Sequence, residues 1–202
     1  MTEKELYGEL GILTKNKDQW KENLPQVGTL LRGQTTKITA KALWLLGEMG
    51  LVYPKEAAGF VPSIAAFLAD EEDLLRERAL HALGRIGRAN YEIVKPYLDD
   101  MLSLSRDGSP GVRLSLIWAS ENIATNAPHA YDGRMGIFSE LLDDPDDKVR
   151  MEAPEIFRVL GKRNPKLVFP YLEKLSELSE KDSNRVVRIH AAGAIKATKI
   201  QR

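Results

Sequence analysis

With 202 residues, 43% of them hydrophobic and 29% charged, the chain has the composition of a folded protein and not of a disordered one. It contains no cysteine, which excludes disulfides, thiolate metal sites and a cysteine nucleophile. Lys plus Arg and Asp plus Glu both number 29, so a basic surface spread over the whole chain is excluded as well.

The apolar stretches 42–46 and 60–69 are far shorter than a bilayer span, so no membrane attachment is expected. The polar start, Met1-Thr2-Glu3-Lys4-Glu5, lacks a signal-peptide pattern, and a cytoplasmic protein is the expectation. The first predicted element is a helix over 2–15, which stands outside the pattern that follows and reads as an N-terminal cap. Helix pairs then succeed one another over about 18–51, 54–88, 91–126, 128–163 and 165–200, all within one domain spanning 1–202.

The first helix of most pairs carries an apolar-proline signature: Leu24-Pro25-x-Val27, Val61-Pro62-x-Ile64, Val94-x-Pro96-Tyr97-Leu98 and Val168-x-Pro170-Tyr171-Leu172. Proline costs a helical hydrogen bond, so these helices are expected to kink or start late. The remaining copy reads Arg134-Met135-Gly136-Ile137-Phe138, without proline. The second helices align without gaps at a spacing of 37: Leu75-Arg76-x-x-Ala79, Val112-Arg113-x-x-Leu116 and Val149-Arg150-x-x-Ala153. One unit earlier stands Ile38-Thr39-x-x-Ala42, and 38 residues later Val187-Arg188-x-x-Ala191. Counted from the aliphatic residue as zero, apolar or small residues recur at +4, +7, +8 and +11, as in Ala79, Ala82, Leu83 and Ile86. That spacing makes one apolar stripe along an amphipathic helix. Gly47, Gly50, Gly84, Gly87 and Gly161 fall near the helix ends, where close contacts or C-caps use small residues.

Five residues before the aliphatic position stand Asp70, Asp107, Asp144 and Asp182, with Gly33 in the first copy. A first helix closed by Leu-Leu-x-Asp, an Asp/Pro turn, Val-Arg-x-x-Ala and a Leu-Gly ending resembles the HEAT repeat, in its short bacterial and archaeal form. The resemblance covers residues 18 to about 200 and implies an all-α, right-handed α-solenoid, with second helices on a concave face. It also implies that Asp70, Arg76, Asp107, Arg113, Asp144, Arg150, Asp182 and Arg188 form a ladder pairing neighbouring repeats. Partly exposed pairs of this kind are worth about 0–1 kcal/mol each, so their expected role is to set register. Gly33, Thr39 and the polar stretch 115–125 depart from the pattern.

Opposite the apolar stripe lie positions +2, +6, +9 and +13. They nominate a groove with an aromatic half, Trp44, His81, Leu114 and Trp118, and a charged half, Glu121, Met151, Glu155 and Arg158. A lone helical tryptophan is usually buried; two in the same register, facing away from the core, point instead to a binding face. With helices about 10 Å apart, the two indoles would stand about 20 Å apart, a span suited to a partner helix or an extended peptide. On this wheel Glu155 belongs to the open face.

No arrangement for catalysis emerges. His81, His129 and His190 are each followed by Ala, whereas HEAT-type deoxyhypusine hydroxylases need His-Glu pairs as iron ligands. There is no HExxH, GxSxG or phosphate loop, and the run 143–147 lacks the Gly and terminal Glu of a calcium loop. HEAT-like DNA glycosylases are faintly echoed by Trp44, Glu48 and Trp118, but their Trp-Asp motif is missing; bilin lyases share only the fold class. The expectation is a non-catalytic scaffold for a protein or peptide segment, with no cofactor and no metal. The alternative is a nucleic-acid-associated protein using the C-terminal repeats, because residues 148–202 carry 13 Lys/Arg against 6 Asp/Glu, while 99–147 carry 3 against 10.

Overall fold

The computed structural model describes residues 2–199 and divides the chain into two compact units, 1–101 and 102–202. Every regular element among the described residues is helical. In the first unit these are α1 (Glu3–Lys15), α2 (Trp20–Thr29), α3 (Thr36–Val52), α4 (Pro54–Ala57), α5 (Val61–Ala65), α6 (Asp73–Ala89) and α7 (Tyr91–Val94). The boundary between units falls inside α8 (Leu98–Ser103). The second unit holds α9 (Pro110–Asn126), α10 (Met135–Leu141), α11 (Asp147–Arg163), α12 (Leu172–Lys181) and α13 (Arg185–Lys199). The architecture is an all-α, HEAT-like repeat of the α-solenoid class.

In the first unit, α1 opens with a capping box: the Thr2 hydroxyl accepts from the Glu5 amide at 3.3 Å, and the Glu5 carboxylate accepts from the Thr2 amide at 2.7 Å. Buried Trp20 donates its indole N–H to the Leu13 carbonyl at 2.8 Å, tying the cap helix to α2. The long second helices α3 and α6 pack side by side with Leu43, Leu46, Leu80 and Leu83 fully buried. Their close approach depends on glycine. A Cβ on Gly47 would sit 2.7 Å from the Ala82 Cα, and one on Gly50 would sit 2.4 Å from Ile86. These glycines lie inside α3 at the helix contact; they are not C-caps.

The prolines act where the missing N–H and fixed φ demand. Pro62 stands in the first turn of α5, and Pro96 and Pro170 stand in the 3₁₀ turns Lys95–Tyr97 and Phe169–Tyr171. First helices are thus broken into short pieces, whereas the second helices α3, α6, α9 and α11 each run 17 residues. Pro25 is the exception and lies within α2.

In the second unit, α11 packs between α9 and α13. Tyr131 is fully buried: its hydroxyl donates to the Ser120 carbonyl at 3.0 Å and its ring meets Phe138 edge-on at 5.7 Å. The bond ties the turn after α9 to the backbone of that helix, while the buried Ser120 hydroxyl itself has no hydrogen-bond partner.

The recurring Asp and Arg form a repeated geometry. Each Arg donates to the carbonyl of the Asp six residues back: Arg76 to Asp70 at 2.8 Å, Arg113 to Asp107 at 2.7 Å, Arg150 to Asp144 at 2.8 Å and Arg188 to Asp182 at 2.6 Å. Each of those Asp side chains accepts the amide two residues on, from Glu72, Ser109, Asp146 and Asn184, which shapes the turn. Between successive repeats of the second unit, Arg113 makes a two-pronged contact with Asp144 at 2.7 and 2.8 Å, and Arg150 reaches Asp182 at 3.3 Å. These pairs are more buried than surface ion pairs: the Arg113 and Asp144 side chains are 11% and 4% exposed.

Candidate functional site

The predicted groove residues fall into both units, Trp44 and His81 in the first and the other six in the second. In the first unit, Trp44 on α3 and His81 on α6 stack with ring centroids 6.1 Å apart and planes 16° from parallel. Both rings are half-buried. Burial pushes the His81 imidazole down to about 4, against the pull of Glu48. His81 is therefore a neutral stacking surface at physiological pH. Glu48 is occupied by Arg85, which contacts its two oxygens at 2.8 Å each.

Beside this stack lies a depression of about 520 Å³ lined by Tyr7, Lys37, Lys41, Trp44, Leu74 and Arg78. The Lys41 ammonium stands 4.5 Å from the Trp44 ring centroid, and the Lys37 ammonium 4.5 Å from that of Tyr7. Burial, and then the neighbouring Arg78, lower the Lys41 pKa. Lys41 and Arg78 occupy the same +3 register 37 residues apart, and helical geometry puts +3 beside +6. The sequence reading missed them because it took columns directly opposite the core and passed over the flank. Tyr7 was missed because the cap helix has no counterpart in the repeat.

In the second unit, Trp118 on α9 is 46% exposed, Leu114 and Met151 are half-buried, and Ile189 on α13 is 55% exposed. Glu121, Glu152, Glu155, Arg158 and His190 form a polar cluster on α9, α11 and α13. Burial, and then Glu152 and Glu155, push the Glu121 carboxyl up to about 8. Its buried Oε1 has no hydrogen-bond partner.

Glu155 corrects the helical-wheel placement: it is 9% exposed and does not stand on the open face. Arg158, one turn on, folds back to grip its carboxylate, and the His190 ring lies 3.6 Å from Glu155 Oε1 while bonding the Met151 carbonyl at 2.7 Å. Gly193 on α13 lies against this cluster, where even a Cβ would make only ordinary contact with Arg158 Cδ at 3.7 Å. The same wheel put Ala40, Gly47 and Gly84 in the groove, and all three are buried. In the case of Gly47, the neighbouring α6 closes over the position.

The family model described as sister chromatid cohesion protein PDS5 protein matches residues 17–197. No curated protein matches the chain. Among solved structures, a designed armadillo repeat protein in complex with the peptide (KR)4 is 21% identical with a TM-score of 0.75, over 97% of this chain and 94% of that one. Computationally designed armadillo repeat proteins for modular peptide recognition give 20% identity and a TM-score of 0.70, over 97% and 94%. An engineered protein gives 18% identity and 0.71, over 89% and 80%. At such identities the likeness is one of fold. No helix among the described residues is long and apolar enough to cross a membrane.

Proposed function

The chain belongs to the sister chromatid cohesion protein PDS5 family, and on that premise we propose that it is a non-catalytic scaffold whose second helices capture a protein or peptide segment. The observation that carries the reading is the tryptophan pair in one register. Trp44 remains half-buried beside an open depression, and Trp118 is 46% exposed. Such rings supply large contact area with little conformational entropy to lose, which is why they dominate binding hot spots. The peptide carried by the designed armadillo protein of similar fold supports a peptide as the occupant.

Several polar groups on these faces are committed to one another, Glu48 to Arg85 and Glu155 to Arg158, and His81 is held neutral in a stack. This favours recognition over chemistry. The test is a random-peptide display selection on the wild-type chain. Selected peptides should bind at least about tenfold more weakly to a chain carrying Trp44→Ala and Trp118→Ala, with the circular dichroism spectrum unchanged. Undiminished binding would place capture on another face, and a selection that enriches nothing would end the scaffold reading.

A further inference from the structure

The geometry points to the Tyr7–Lys41–Trp44–Arg78 depression of the first unit as a subsite for an acidic side chain of a captured peptide, an Asp or Glu held by Lys41 and Arg78. This rests on the scaffold reading and gives its partner a chemistry.

Three observations converge. Lys41 and Arg78 come from adjacent helices, α3 and α6, at equivalent repeat positions, and both are partly buried in the wall of one depression. Neither has a carboxylate partner among the described residues. The acids nearby do not fill that role. Glu48 is bound to Arg85, Glu3 pairs with Lys37 at 4.0 Å, and Glu77, next to Arg78 in sequence, feels its charge without a salt-bridge contact. Two cations are thus held close together and partly out of water with no carboxylate in contact with either among the described residues, an arrangement that an incoming anion relieves.

The surroundings select the kind of anion. Trp44 and Leu74 offer apolar surface next to the two cations, and Tyr7 closes one side. A Glu or Asp side chain has the matching layout, with an apolar stem ending in a carboxylate that the planar Arg guanidinium can receive on two oxygens. A nucleic acid draws its affinity from a long run of phosphate contacts. Here Lys41 and Arg78 line one depression, with Glu48 and Glu77 on the same two helices.

The experiment uses the full chain and a fluorescein-labelled nine-residue peptide of Asp and Glu with one central Phe. Its neutral Asn/Gln counterpart, a Lys/Arg counterpart and a labelled oligothymidylate serve as comparisons, all read by fluorescence anisotropy. The acidic peptide should bind at least about tenfold more tightly than the neutral and basic ones, and its affinity should fall as salt rises. Arg78→Gln and Lys41→Gln should each weaken it about fivefold or more, and Arg78→Lys should weaken it less than Arg78→Gln. Thermal melts of each variant, expected to match wild type, separate loss of binding from loss of fold. Equal binding of acidic and neutral peptides, or Gln variants that bind like wild type, overturns the inference. Tighter binding of the oligonucleotide replaces it with a nucleic-acid site. Displacement by free glutamate at matched concentration replaces it with a small-anion site. If display-selected peptides bind the tryptophan faces while acidic ones do not, this inference fails and the scaffold reading stands. If no peptide of any charge binds, the scaffold reading itself fails.

Discussion

Replacing Asp144 by Ala removes the hub between two repeats of the second unit. Asp144 accepts from Arg113 at 2.7 and 2.8 Å and from the Asp146 amide at 2.9 Å, with its side chain 4% exposed. Breaking one side of a fully buried pair costs about 3–5 kcal/mol, mostly because the other charge is left without compensation. Arg113 keeps its bond to the Asp107 carbonyl at 2.7 Å, and its 11% exposure admits some water. The expected loss is therefore about 2–4 kcal/mol. Urea unfolding followed by far-ultraviolet circular dichroism measures it, and Glu140→Ala is the internal control. The Arg106–Glu140 pair has side chains 79% and 62% exposed, and losing it should cost less than about 1 kcal/mol. A chain carrying both Arg113→Met and Asp144→Leu should recover much of the loss, because no buried charge then lacks a partner. Equal losses for Asp144→Ala and Glu140→Ala, or no recovery in the double replacement, would refute the view that buried charge pairing locks these repeats together.

Leu83→Ala, at a fully buried position of α6, should lose about 2–5 kcal/mol in the same assay by leaving a cavity. Gly47→Val should lose about 1–3 kcal/mol or more, because even its Cβ would stand 2.7 Å from the Ala82 backbone and the two helices would have to separate. Glu121, with its folded pKa raised from 4.5 to about 8, holds a proton that the unfolded chain has released. Its contribution to stability is complete below the unfolded pKa, shrinks as pH rises and is gone above about 8. Glu121→Gln should therefore flatten the fall in urea midpoint between about pH 4.5 and 8 and make the variant the more stable chain at the upper end. His81, lowered to about 4, acts in the opposite sense below pH 6.5, with its stability present above that unfolded value and lost toward pH 4, so the Glu121 effect is read free of it between about pH 6.5 and 8.

The repeat was legible because each second helix repeats one physical problem: an apolar stripe to bury and a turn to hold. Leu75, Val112, Val149 and Val187 are all buried at the position the spacing assigns them. The proline signature foretold late and broken first helices because a missing N–H acts locally. The binding face was legible only in part. A helical wheel locates Trp118 away from the core, but it knows nothing of neighbouring helices. It therefore put Glu155 in the open, although Arg158 and His190 cover it. Gly47 was misplaced for the same reason, since helix approach is decided between repeats. Lys41 and Arg78 were visible as a 37-residue echo, but that both lack a carboxylate partner depends on where Glu48 and Arg85 meet in space.

The claim that the tryptophan faces of the two units capture peptide is tested most directly by measuring the affinity of a display-selected peptide for the wild-type chain and for the Trp44→Ala, Trp118→Ala chain. The account predicts at least about a tenfold loss of affinity while the urea midpoint changes little. Equal affinity for the two chains, with both folded, would contradict it.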